Sequence, residues 1–107
     1  MSTVETSDCV GRLLKRTDAD LLQAMQLIKT KVDQEPSDTF AESWSDQLTS
    51  FFKISTNPDQ QFEAFRKARR QACIYMNSMT LQGTGFGIFV ANCKIDMSKV
   101  LLRRLGN

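Results

Sequence analysis

Residues 65–71 read FRKARRQ, and their four cations, Arg66, Lys67, Arg69 and Arg70, are the densest group in the chain that can do chemistry. Guanidinium and ammonium groups carry fixed charge and several N–H donors, so they recognise carboxylates, phosphates and aromatic faces. A second pair, Arg103 and Arg104, lies near the C-terminus, with Lys94 and Lys99 between. Charge is unevenly spread along the chain. Residues 1–64 hold six Lys or Arg against eleven Asp or Glu, a balance of −5; residues 65–107 hold eight against one, a balance of +7.

The remaining chemistry-bearing residues point to little catalysis. The chain has no histidine, and Cys9, Cys73 and Cys93 are scattered without a CxxC spacing. Three such thiols make a poor start for a tetrahedral zinc site, so no metal is expected. Reduced thiols are expected instead, with Cys73 and Cys93 as small core residues and Cys9 accessible. No imidazole exists to activate a cysteine nucleophile, and Ser98-Lys99 points its two side chains apart on a helix. GTGFG at residues 83–87 lacks the Lys-Ser or Lys-Thr of a phosphate loop, since Ile88 and Phe89 follow it. It also lacks the preceding strand of a dinucleotide fingerprint. The run reads as a helix stop and hinge, with Gly83 or Gly85 at positive φ and Gly87 admitting Phe86 or Phe89. No cofactor is implied.

The elements that position these residues read as helices. Thr17-Asp18-Ala19-Asp20 offers a capping oxygen and acidic groups for a helix start. Leu21, Leu22, Met25, Ile28 and Val32 follow at helical spacing, and Gln34-Glu35-Pro36 stops them. Val10, Leu13 and Leu14 form a shorter turn or two upstream, and residues 1–8 are expected to fray. Thr39 to Glu42 forms a T-x-x-E capping box ahead of Phe40, Trp44, Leu48, Phe51 and Phe52, with Trp44 placed in the core. Asn57-Pro58 opens a third helix carrying Phe62, Phe65, Ala68, Ala72, Met76 and Met79. Arg66, Arg69 and Arg70 fall on one edge of that stripe, with Arg69 intruding between Phe62 and Phe65 on the helical wheel. Residues 86–91 read as a short buried helix, and Asp96 or Ser98 caps a last one with Val100, Leu101, Leu102 and Leu105.

These segments predict an all-α fold, a compact single-domain bundle of four to six helices spanning residues 1–107. The 41% hydrophobic content suits a globular chain, and the longest apolar run is far too short to cross a bilayer. The first twelve residues lack a basic head followed by an apolar run, so no secretory signal is expected.

Three explanations compete for the basic half. It neutralises the acidic half internally, with Glu63 paired to Lys67 and Arg69 snorkelling from a partly buried stem. It engages a protein with an acidic or amphipathic surface, including a second copy of itself. Or it lies along nucleic-acid phosphates, although Trp44 and Tyr75 lie apart from the basic run and build no stacking platform. The functional expectation is a non-enzymatic, intracellular adaptor or regulatory protein, cytoplasmic or nuclear, that uses Arg66, Lys67, Arg69, Arg70, Arg103 and Arg104 to bind its partner. Nucleic-acid binding through residues 66–70 is the alternative.

Overall fold

A computed structural model describes residues 3–106. Four α-helices follow in order: α1 (Thr3–Asp33), α2 (Asp38–Asp46), α3 (Pro58–Met76) and α4 (Phe86–Arg104). A π-helical turn (Gln47–Phe51) continues α2, and a 3-10 turn (Ser78–Thr80) follows α3. The all-helical bundle is as expected. Its 55 × 24 × 18 Å extents follow from α1, whose 31 residues alone span about 46 Å.

Two of the expected helix boundaries inside the long helices do not exist. The start expected at Thr17 lies in the middle of α1, where Thr17 is buried and its Oγ1 donates to the Leu13 carbonyl at 2.8 Å. The hydroxyl is satisfied inside the helix, and Val10, Leu14, Leu21, Ala24 and Val32 share one face in a single phase. Residues 3–8, expected to fray, are the first turns of α1, and residues 1–2 lie outside the described range. Likewise the two helices expected after GTGFG are one. Ser98 is fully buried in α4 and donates to the Lys94 carbonyl at 2.8 Å rather than capping a new start.

Other boundaries match the local chemistry. α1 stops three residues before Pro36. Asn57 Oδ1 accepts from the Gln60 N–H at 3.1 Å with Pro58 in the first turn, as the cap-plus-proline pattern requires. α2 starts at Asp38, one residue ahead of the expected Thr39 box, and its N-cap Ser37 makes no side-chain cap bond. α3 ends at Met76 rather than at Gly83, and α4 starts at Phe86 inside GTGFG; neither Gly83 nor Gly85 has positive φ, which among the described residues only Lys53 and Gly106 adopt. At Gly85 a Cβ would stand 3.2 Å from Cε2 of Phe89, a tight contact that the half-exposed ring would have to relieve by a small shift.

Side-chain pairs set the topology. Asp18 meets Arg69 while Gln26 meets Asp59, so α1 and α3 run antiparallel. Arg69 meets Ser98 while Cys73 meets Cys93, so α3 and α4 are antiparallel and α4 returns parallel to α1. These three helices share a core of Leu21, Val32, Phe62, Val90 and Ile95. The α2 arm has only α1 as a substantial helical neighbour. Trp44, expected in the core, is therefore half-buried, and Phe40, Phe51 and Phe52 are exposed.

Candidate protein-binding surface

The residue at the centre of the basic run faces inward. Arg69 is 3% exposed, and its guanidinium grips the Asp18 carboxylate with two bonds, Nη1 to Oδ1 at 2.5 Å and Nη2 to Oδ2 at 3.2 Å. Nη1 also donates to Ser98 Oγ at 2.9 Å, and the guanidinium lies 5.3 Å from the Phe65 ring centroid. One cation thereby ties α3 to α1 and α4. Arg69, expected on the contact surface, is a structural residue, because its buried guanidinium holds the bidentate pair with Asp18 and the bond to Ser98 that join the three helices. The expected stripe of α3 is rotated to accommodate it. Phe62, Arg69 and Cys73 face the core, Ala68 and Ala72 are exposed, and Met79 is 97% exposed.

One turn beyond Arg69, Cys73 and Cys93 form a disulfide, with Cα atoms 5.7 Å apart. This corrects the expectation of reduced thiols at both positions. The two are 20 residues apart in sequence and meet only because α3 and α4 pair in this register. Cys9 is free and exposed. A disulfide that staples the core belongs to an oxidising environment.

The other cations remain outside. Arg66, rather than the expected Lys67, pairs with Glu63 at 3.0 Å and sits 5.8 Å from the Phe62 ring centroid. Lys67 and Arg70 are exposed without an ion pair among the described residues. Lys94 of α4 faces this group. Burial holds its pKa below the usual lysine value, Arg69, Arg70 and Arg66 add to the depression, and Asp18 opposes it. Arg66, Arg70 and Lys94 therefore form one basic seam between α3 and α4. Beyond the disulfide, exposed Tyr75, Met76 and Met79 extend α3 as an apolar margin that hydropathy alone had assigned partly to the core.

Arg103 and Arg104 are elsewhere. They occupy the last turn of α4, about 13 Å along its axis from Lys94, where cations complement the helix dipole. Arg103 and Lys99 line one wall of a groove of about 830 Å³ between α4 and α1. Leu102, Ala24 and Leu27 contribute apolar lining, and Asp20 stands on the α1 side. Among the described residues no cluster of three His, Cys, Asp or Glu is placed to hold a metal ion, and no helix is long and apolar enough to cross a membrane. These surfaces offer fixed charge and apolar area, which is the chemistry of recognition.

Compared with known proteins, residues 1–105 match the family model described as lysozyme inhibitor LprI. No curated protein and no solved structure matches the chain. The family match overturns the expected intracellular adaptor and its nucleic-acid alternative. Inhibitors of this kind act on periplasmic or extracellular lysozyme, which corrects the cytoplasmic or nuclear placement as well. They are inhibitors rather than enzymes, and their partner is a protein.

Proposed function

This chain belongs to the lysozyme inhibitor LprI family, and from that premise we propose that it binds a lysozyme outside the cytoplasm and blocks hydrolysis of the cell-wall glycan. The observation that carries this reading is the match along residues 1–105, nearly the whole chain. The Cys73–Cys93 disulfide supports it independently, because it fits an oxidising compartment and stiffens the scaffold that presents the contact surface.

A lysozyme cleaves its substrate between two carboxyl groups that flank the glycosidic bond. An inhibitor needs no chemistry of its own: it has only to occupy that cleft and complement its charge. We assign the contact to the basic seam of Arg66, Arg70 and Lys94, with exposed Lys67 beside it on α3 and Tyr75 and Met76 further along the helix. Lys67 and Arg70, exposed and without an ion pair among the described residues, supply steering, and the exposed aromatic and thioether side chains supply packed anchors. Arg69 acts from beneath as a positioning residue, through its hold on Asp18 and Ser98.

The test is lysozyme-driven clearing of a cell-wall suspension, with affinity measured by calorimetry in parallel. The wild type should slow clearing in a saturable manner. The double reversal Arg66→Glu, Arg70→Glu should weaken binding at least about tenfold, each lost interfacial charge contact costing on the order of 1 kcal/mol or more. Circular dichroism should be unchanged, since both side chains are exposed. Absence of inhibition at a large excess of wild-type protein overturns the function. Undiminished inhibition by the double variant moves the contact off the seam.

A further inference from the structure

Lysozyme inhibition through the α3–α4 seam leaves two features without a use: the acidic, aromatic α2 arm and the basic groove between α1 and α4. Between Lys31 and Lys53 the chain has no Lys or Arg, but it carries Asp33, Glu35, Asp38, Glu42 and Asp46. At the end of this acidic stretch stand Phe51 and Phe52, 76% and 58% exposed, with ring centroids 4.8 Å apart in an edge-to-face pair. Their position is held by the backbone. The Phe52 N–H bonds the Gln47 carbonyl, and the Ile54 N–H reaches back to Leu48 at 2.9 Å across Lys53, whose φ is +61°. That is a left-handed stop one residue wider than a Schellman motif, as the π-helical turn before it requires. An aromatic pair left in water on a backbone held this way offers apolar area for an interface anchor.

The groove has the complementary character. Lys99 and Arg103 stand on its α4 wall without an ion pair among the described residues, and Leu27 and Leu102 give it apolar surface. Its volume of about 830 Å³ lies within the range that accommodates a small cluster of side chains. Asp20 on the opposite wall is the only acidic lining residue. None of the groove's lining residues comes from α2, so the arm of the same chain does not fill it.

We propose that the α2 arm of one copy docks in the α1–α4 groove of a second copy, forming a two-fold dimer. A two-fold axis makes the contact occur twice, with each copy giving an arm and receiving one. This arrangement sets the acidic arm of each chain against Lys99 and Arg103 on the α4 wall of the other's groove. The phenylalanine pair supplies packed apolar area, while Glu42 and Asp46 facing Lys99 and Arg103 set orientation and partner choice.

Sedimentation velocity across a concentration series tests the proposal, with helix content checked for every variant. The wild type should dimerise, and more weakly as salt screens the charges. Glu42→Lys with Asp46→Lys, and separately Lys99→Glu with Arg103→Glu, should each weaken the dimer at least about tenfold, since every reversed contact occurs twice. Mixed one to one, these two variants should form a heterodimer, because the reversed arm then meets the reversed groove and the native arm the native groove. Phe51→Ser with Phe52→Ser should be monomeric and gain no rescue. A wild type that stays monomeric to about 1 mM, or reversal variants that fail to pair with each other, overturns the dimer. If that monomer also loses lysozyme inhibition when Phe51 and Phe52 are replaced, the arm belongs to the enzyme contact instead.

Discussion

Replacing Asp18 by alanine should be among the most damaging single substitutions in this protein, and more damaging than replacing its partner. Arg69 is 3% exposed and its pair with Asp18 is bidentate, whereas the Asp18 side chain keeps 19% of its surface in solvent. Asp18→Ala leaves a guanidinium buried with only Ser98 Oγ as a side-chain acceptor, and its Nε already has no partner among the described atoms. Uncompensated buried charge of this kind costs about 3–5 kcal/mol. Arg69→Met removes the charge and keeps much of the stem's volume, and the abandoned carboxylate regains water at its exposed edge. Its cost should be about 1–3 kcal/mol, the range for an unsatisfied buried polar group. The double variant should cost far less than the sum, because the second change removes the group that the first one stranded. In thermal melts Asp18→Ala should lower Tm by about 12 °C or more, taking about 4 °C per kcal/mol for a domain near this size. Additive losses, or a cost below about 1 kcal/mol for Asp18→Ala as in an exposed ion pair, would show that Arg69 is not held as a buried charge and refute its role in joining the three helices.

Two further outcomes follow from the same region. Cys73→Ser with Cys93→Ser should lower unfolding free energy by about 3 kcal/mol, the chain-entropy value for a closed loop near 20 residues. Denaturant midpoints with and without reductant measure this, and only Cys9 should label in the oxidised native protein; equal midpoints would remove the disulfide from the stability account. Lys94 should make stability rise with alkaline pH. Burial, with Arg69, Arg70 and Arg66, depresses its folded pKa below the usual 10.5 while Asp18 only partly offsets them, so the unfolded chain binds more protons between the two values. The strain of the charged amine is fully present below the folded pKa and is relieved as pH climbs towards 10.5. Lys94→Gln should flatten that rise relative to wild type, and parallel pH profiles for the two proteins would refute it.

Much of the fold was legible because helix formation is governed by neighbours a few residues away. The 3.6-residue spacing of apolar side chains marked most of α1, α2 and α3, Pro36 marked the end of α1, and Asn57-Pro58 marked the start of α3. The same locality misled at Thr17 and Ser98. A hydroxyl that can cap a helix can equally bond the carbonyl four residues back, and only burial against other helices selects the second use. The basic residues were legible as a group, but not the division of labour among them. The helical wheel set Arg69 apart between Phe62 and Phe65, but its partners Asp18 and Ser98 come from other helices and leave no mark in the local pattern.

The sequence by itself determined that the chain is helical, that it holds no histidine chemistry, and that its charge is split between an acidic first part and a basic last part. These properties depend on residue identity and short-range periodicity, which need no knowledge of the folded shape. The tertiary structure decided which cation is scaffold and which are surface, that Cys73 and Cys93 are joined, and that the α2 arm leaves its phenylalanines in water. Arg69 lies 51 residues from Asp18 and 29 from Ser98, and Cys73 lies 20 from Cys93. No local rule carries information over such separations; the register of three packed helices brings those atoms within bonding distance and leaves the arm with one neighbour.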